Sequence, residues 1–66
     1  MKNSLKVERA IKDITQAELA EIFDVSRQTI NAVEKNRYVP STVLALKLSK
    51  YFGKSVNEIF ELEESD

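Results

Sequence analysis

The chain has 66 residues, a length that allows one domain with a thin hydrophobic core. It contains no cysteine and no histidine, which excludes disulfide bonds and the usual zinc ligands, and its net charge of −1 argues against indiscriminate binding to nucleic acids. No apolar run approaches the roughly 20 residues of a membrane span, and the start lacks a signal peptide, so we expect a cytoplasmic protein that does not associate with membranes.

The first two helices are predicted from apolar spacing and from a capping signal. Leu5, Val7 and Ile11 are the expected apolar residues of a first helix over residues 5–12. Thr15 and Glu18 match the T-x-x-E capping box, in which side chains satisfy the free amides at a helix start. A second helix is therefore predicted to begin immediately after Thr15.

A third helix is predicted over residues 26–35, after a very short turn. Ser26 is a favourable N-cap, and Ile30 and Val33 are the apolar residues that fall on one helical face. So few apolar anchors leave most of the helix surface free for a ligand.

The remaining elements are a fourth and a fifth helix. Ser41 is expected to cap a helix that runs to about residue 52 and that Gly53 ends in the left-handed conformation. Ser55 and Glu58 form a second capping box before the last short helix. The predicted fold is a single all-α domain over residues 1–66, with five helices, no strands and an acidic tail over 61–66 that frays.

Three turns between helices are expected to need a left-handed residue, although the chain has only one glycine. Asp13, Asp24 and Asn36 occupy these turns, and Asp and Asn tolerate the left-handed conformation best among non-glycine residues. The left-handed interpretation is preferred for Asp24. For Asp13, an ordinary solvated loop residue is an equally good interpretation.

The outward face of the third helix carries residues that suit the recognition of DNA bases. At about 100° per residue, Gln28 points away from the buried face and Asn31 and Ala32 lie beside it. The carboxamides of Gln28 and Asn31 can pair with adenine, Ala32 can contact a thymine methyl group, and Arg27 can bind guanine or a phosphate.

A second set of residues is predicted to hold the DNA backbone, either from the start of the second helix or around the third. Free amides at a helix start favour a phosphate, and basic side chains add charge. The set is Gln16, Ala17, Ser26, Thr29, Lys35, Asn36, Arg37 and Tyr38. The alternative for both sets is an ordinary solvated face, since any exposed amphipathic helix turns polar residues outward.

The whole chain resembles the Cro/phage-repressor (XRE) family of helix-turn-helix regulators. The resemblance rests on four stretches in the family's order: TQAELA at 15–20, VSRQTIN at 25–31, EK to YVPS over 34–41, and FGKSVNEIF at 52–60. It implies a lambda-repressor-like fold in which the second and third helices form the helix-turn-helix.

The resemblance also implies roles for individual residues. Ala20 matches the small residue that lets the second and third helices approach closely. Gln16 matches a phosphate-clamping glutamine that also braces the amide at Gln28. Arg9 and Glu34 match a charged pair between the first and third helices, which as an exposed pair would contribute about 1 kcal/mol or less.

The leading functional hypothesis is a sequence-specific transcriptional regulator that binds double-stranded DNA, with repression as the expected effect. As a homodimer it would place two third helices in successive major grooves, about 34 Å apart on a roughly palindromic operator. Leu46, Phe60 and Leu62 are candidates for the dimer surface, and ordinary core or rim residues are the equally good alternative.

The alternative hypothesis is an antitoxin or a protein-interaction module of the same fold, which would bind a basic partner through its acidic C-terminus. An enzyme is not expected, because the chain lacks histidine, cysteine and evident paired carboxylates. No metal or cofactor is expected. The chain ends just past the fifth helix, so we also expect no effector-binding site.

Overall fold

Five α-helices follow one another along the chain, and a short antiparallel ribbon joins its two ends. The structure is a computed structural model that describes residues 1–66. The helices are α1 (Leu5–Ile11), α2 (Gln16–Ile22), α3 (Arg27–Glu34), α4 (Thr42–Phe52) and α5 (Val56–Ile59), and the strands are β1 (Lys2–Asn3) and β2 (Phe60–Glu61). The five predicted helices are confirmed.

The ribbon corrects the prediction of a domain without strands. Lys2 pairs with Glu61 and Asn3 pairs with Phe60, in antiparallel register. Strands of two residues are too short to show the alternation of apolar and polar residues that identifies a strand in a sequence. Their pairing also requires the two ends of the chain to meet, which local patterns do not report.

The core lies where the inward faces of all five helices meet. Ile30 and Val33 are fully buried and hold α3 in place, as the spacing predicted. Ala20 is also buried, on α2. The complete core consists of Leu5, Leu19, Ala20, Ile30, Val33, Leu44, Leu48, Ile59 and Phe60.

Helix α1 faces the core differently from the prediction. Val7 and Ile11 are 57% and 69% exposed, whereas Glu8 is buried. Val7 and Ile11 lie about 200° and 240° around the helix from Leu5, so the face that buries Leu5 turns them outward. The Glu8 carboxylate is compensated by Lys54, whose Nζ lies 2.7 Å from Glu8 Oε2.

All three turn residues adopt the left-handed conformation. The φ angles of Asp13, Asp24 and Asn36 are 55°, 54° and 60°, and Gly53 ends α4 with a φ of 67°. Side-chain caps then start the helices: the Thr15–Glu18 capping box begins α2, and Ser26 Oγ accepts a hydrogen bond from the Thr29 amide at the start of α3. The predicted turn between α2 and α3 is therefore confirmed in its local chemistry.

The acidic C-terminus is folded back onto the N-terminus, whereas its composition predicts fraying over residues 61–66. The Met1 amino group lies 2.9 Å from Asp66 Oδ1 and 3.1 Å from Glu63 Oε1. The Glu63 amide also donates a 2.8 Å hydrogen bond to Asp66 Oδ2. The β1–β2 ribbon brings these opposite charges together.

Candidate nucleic-acid interface

The outward face of α3 and the segment after it form one open surface. Arg27, Gln28, Asn31 and Ala32 line a depression of about 380 Å³ together with Arg37. Arg27, Gln28 and Arg37 are exposed, whereas Asn31 and Ala32 are half-buried at the base of the surface. The structure therefore brings the four residues predicted to face bases together with one of those predicted to face the backbone.

The start of α3 is held by hydroxyl groups that were predicted to lie near the DNA backbone. Ser26 Oγ accepts from the Thr29 amide at 3.1 Å and lies 2.9 Å from Thr29 Oγ1. Each hydroxyl is thus engaged in the cap. Their hydrogen bonds fix the point at which the α3 face begins.

Four polar side chains link α1 and α2 to the outward face of α3. Arg9 donates to Glu34 through Nε (2.9 Å to Oε2) and Nη2 (3.3 Å to Oε1). Gln16 Nε2 donates to Glu34 Oε1 at 3.0 Å, and Asn31 Nδ2 donates to Gln16 Oε1 at 3.3 Å. We call this set, Arg9, Glu34, Gln16 and Asn31, the polar chain.

The polar chain differs in two respects from what the resemblance implied. The side chains of Arg9 and Glu34 are only 16% and 4% exposed, so the small energy of a solvent-exposed pair does not apply. In addition, Gln16 bonds Asn31 and not Gln28. Asn31 lies about 60° around α3 from Gln28. Its hydrogen bond to Gln16 shows that the Asn31 side chain faces the start of α2.

Arg27 lies between two parts of the surface. Besides the α3 depression, it lines a second one of about 540 Å³ with Arg9 of α1 and with Thr15, Gln16 and Ala17 at the start of α2. Its guanidinium is therefore within reach of both regions. Both predicted roles of Arg27, at guanine or at a phosphate, are compatible with this position.

The segment that follows α3 presents the remaining predicted backbone residues. Lys35, Asn36, Arg37 and Tyr38 are all exposed. The left-handed Asn36 turns the chain, and the Arg37 amide donates a 2.8 Å hydrogen bond to the Ala32 carbonyl. This closes the end of α3 and brings Arg37 back toward the depression.

Asn3 supports this segment, although it was not among the site residues predicted from the sequence. Its Nδ2 donates to the Val33 carbonyl at 2.8 Å and to Asn36 Oδ1 at 3.0 Å. Its Oδ1 accepts from the Leu5 amide at 3.1 Å and so caps α1. An Asn side chain often bonds a backbone amide two residues further on, so an Asn just before a predicted helix is a local signal that could have drawn attention to it.

Comparison with known proteins identifies the family of this arrangement. The helix-turn-helix family model matches residues 5–59 of the chain. The chain belongs to the helix-turn-helix family. Its type is that of the Cro/phage-repressor regulators, as the resemblance had implied.

Similar helix-turn-helix proteins occur in archaea and bacteria. An HTH-type transcriptional regulator of Methanocaldococcus jannaschii, MJ0272, is 48% identical over 66 residues, and YgzD of Bacillus subtilis, named likewise, is 46% identical over 66; both alignments cover 100% of each chain. One from Methanothermobacter thermautotrophicus is 42% identical over 65 residues, which cover 97% of this chain and 94% of that protein. These relatives support a DNA-binding regulator of transcription.

The charges of this helix-turn-helix domain are distributed unevenly. Arg27, Lys35 and Arg37 lie in or directly after α3, and none of them forms an ion pair within the protein. Their charges are therefore available to a polyanion. None of the five helices is long and apolar enough to cross a membrane.

The ionisable groups with shifted pKa values lie away from α3. The Met1 amino group donates a hydrogen bond to Asp66, which raises the pKa of that amino group. The Glu63 amide donates to the Asp66 carboxylate and lowers the pKa of Asp66. The Glu8 carboxylate raises the pKa of Lys54. The Ser55 amide donates a 2.9 Å hydrogen bond to Glu58 Oε1 and thereby lowers the pKa of Glu58.

Proposed function

We propose that this helix-turn-helix protein is a sequence-specific repressor of transcription that binds double-stranded DNA as a homodimer, with α3 in the major groove. The observation that carries the proposal is the surface shared by Arg27, Gln28, Asn31, Ala32 and Arg37. It combines amides that suit base edges with cations that no carboxylate of the protein neutralises. Occupation of promoter DNA would block the polymerase, which makes repression the simplest outcome.

Base recognition is assigned to the outward residues of α3. Gln28 is exposed and its carboxamide can pair with adenine N6 and N7. Ala32 allows the helix to approach closely and can contact a thymine methyl group. Arg27 takes either a guanine or a phosphate, in keeping with its place between the two depressions.

Backbone contacts are assigned to the two sides of α3. The α2 start at Gln16 and Ala17 offers free amides to a phosphate, while Ser26 and Thr29 flank the start of α3. Beyond the end of α3 lie Lys35, Asn36, Arg37 and Tyr38. Such contacts fix the register of the protein on DNA without reading its sequence.

Dimerisation is proposed through α5 and the exposed part of α4. Leu46 and Leu62 are 56% and 78% exposed, so both are free to pack against a second copy. Phe60 is only 6% exposed and belongs to the core, which removes it from the candidates for this surface. Sedimentation of the wild type and of Leu62→Glu tests the assignment, with a dimer expected for the first and a monomer for the second.

A selection from random double-stranded DNA, followed by binding measurements with variants, tests the proposed function. Gln28→Ala is expected to lose preference at one base pair, at a cost of about 1–3 kcal/mol. Arg37→Ala is expected to weaken binding to all sequences alike and to lower the slope of affinity against salt by about 1. Lys6→Ala, an exposed lysine on α1, is the matched control and should change neither the base preference nor the slope of affinity against salt.

The proposal is wrong if the selection enriches no sequence, or if both variants bind like the wild type. The alternative of a protein-interaction module gains no support from the acidic C-terminus. Two of its carboxylates, Glu63 and Asp66, are already paired with Met1.

A further inference from the structure

The polar chain has a direction that is set by its two charged members. The Arg9 guanidinium can only donate hydrogen bonds, and an ionised Glu34 carboxylate can only accept them. Glu34 Oε2 accepts from Arg9, and Oε1 accepts from both Arg9 and Gln16. Each remaining group must therefore turn a donor toward Glu34.

This direction determines how the Gln16 amide is oriented. With Nε2 directed at Glu34, its Oε1 faces Asn31. The flipped amide would place a carbonyl oxygen about 3 Å from the Glu34 carboxylate, with no proton between the two acceptors. Because Glu34 is 4% exposed, water cannot compensate for that loss.

The same reasoning extends to Asn31. Its Nδ2 must face Gln16 Oε1, since the flipped amide would bring two carbonyl oxygens together. One N–H of Asn31 is used in this bond. Its Oδ1 and its second N–H remain free, and the side chain lines the α3 depression.

We infer that the polar chain makes Asn31 a selective reader of adenine, with Gln16 and Glu34 as positioning residues that suppress rotation of its amide. The inference rests on the proposed function. Adenine presents a donor (N6) beside an acceptor (N7) in the major groove, which matches the free acceptor and donor of Asn31. Guanine presents two acceptors (O6 and N7), and an amide held in this orientation cannot turn its NH₂ group to both.

Gln28 provides an internal comparison. The structure gives its side chain no hydrogen bond within the protein, so its amide can rotate by 180° before it meets a base. The carboxamides of Gln28 and Asn31 therefore differ in rotational freedom, although they are the same chemical group. Preorganisation also lowers the entropy that Asn31 loses on binding.

The test measures discrimination between adenine and guanine at one base pair. Random-DNA selection with the wild type and with Asn31→Ala locates the base pair that Asn31 reads, as the position where the variant loses its preference. Affinities are then measured for duplexes that carry each of the four base pairs there. We expect the wild type to favour adenine over guanine by at least about tenfold, and Gln16→Met to reduce that ratio to about threefold or less.

A second variant and a control separate this effect from general damage. Glu34→Gln keeps the shape of the side chain but can donate as well as accept, so it too should lower the adenine-to-guanine ratio. Glu21→Gln makes the same chemical change on the exposed side of α2 and should leave the ratio unchanged. Loss of a phosphate contact by Gln16→Met would weaken all duplexes equally, so it does not alter the ratio.

The outcomes are distinct from those that test the proposed function. If the wild type enriches no DNA sequence, the proposed function and this inference both fail. If it binds specifically but reads no adenine through Asn31, only this inference fails. The inference also fails if the ratio is unchanged in the folded Gln16→Met and Glu34→Gln variants, with folding verified by circular dichroism.

Discussion

Asn3 and Val33 are 30 positions apart, yet the Asn3 side chain donates a 2.8 Å hydrogen bond to the Val33 carbonyl at the end of α3. The same amide bonds Asn36, which belongs to the proposed phosphate contacts, and caps α1 through the Leu5 amide. The Asn3 side chain thus bonds the end of α3, the segment after α3 and the start of α1. The position of the segment after α3 depends on a residue that lies outside the helix-turn-helix.

Asn3→Ala is expected to destabilise the fold and to weaken DNA binding. The substitution removes three hydrogen bonds, each worth about 0.5–1.5 kcal/mol net, and the Val33 carbonyl keeps only the Asn36 amide as a partner. Denaturant unfolding measures the stability, and binding to the selected duplex measures the affinity under conditions where the variant is folded. Lys6→Ala, an exposed substitution on α1, is the control. Equal stability of both variants would contradict the assigned role of Asn3.

Ser4→Ala is expected to leave stability unchanged or to raise it. Ser4 precedes α1 at the N-cap, where such a change usually costs about 1 kcal/mol. Here the hydroxyl makes no cap bond, and its oxygen is buried without any partner. Ser41→Ala, which removes a cap that does bond the Leu44 amide, should show the usual loss in the same thermal unfolding measurement. A comparable loss in Ser4→Ala would show that its hydroxyl has a partner.

Arg9→Leu is expected to be strongly destabilising, by about 3 kcal/mol or more. It would leave the Glu34 carboxylate, which is 4% exposed, without its cationic partner. The double variant Arg9→Leu with Glu34→Leu removes both charges and should recover part of the loss. A double-mutant cycle by denaturant unfolding measures the coupling. Additive losses would mean that the two residues act independently.

Glu58 is expected to contribute to the loss of stability in acid. Its pKa is lowered from 4.5 because the Ser55 amide donates a hydrogen bond to the ionised carboxylate. The contribution is fully present above the unfolded-state pKa and is lost as the pH falls through the lower pKa of the folded state. The free energy of unfolding, measured from about pH 6 to pH 3, should therefore depend less on pH in Glu58→Gln than in the wild type. Glu64→Gln, which alters an exposed carboxylate without a hydrogen bond, should retain the wild-type dependence.

Much of the fold was predictable because its signals are local. The caps at Thr15 and Ser26 and the left-handed turn at Asp24 each depend on residues within one helical turn. Two buried residues, Ile30 and Val33, were enough to predict which face of α3 is exposed. A regular helix turns by a fixed angle per residue, so two buried positions fix the orientation of all the others. The same wheel indicated which residues would line the proposed reading face.

The features that were missed depend on contacts between distant positions. Glu8 is buried where its carboxylate bonds Lys54, 46 positions away. Helical spacing does not report that contact, so it predicted burial of the apolar Val7 and Ile11 instead. Asn31 and Gln16 are 15 positions apart, and their contact depends on the angle at which α2 and α3 pack. Periodicity shows which face of a helix is free, but it does not show which neighbour a polar side chain bonds.

The β1–β2 ribbon has a consequence for the order in which the protein assembles. It pairs Asn3 with Phe60 and so closes a loop that includes nearly the whole chain. Closing such a loop costs more entropy than pairing neighbours, so we expect the ribbon to form last and to open first. Hydrogen exchange tests this order: the Ser4 amide, bonded to the Ile59 carbonyl, should exchange faster than the Ile30 amide within α3. The Asn3 side chain extends from the ribbon to the end of α3, so DNA bound at α3 should slow the opening of the ribbon. The exchange rate of the Ser4 amide would then report whether DNA is bound.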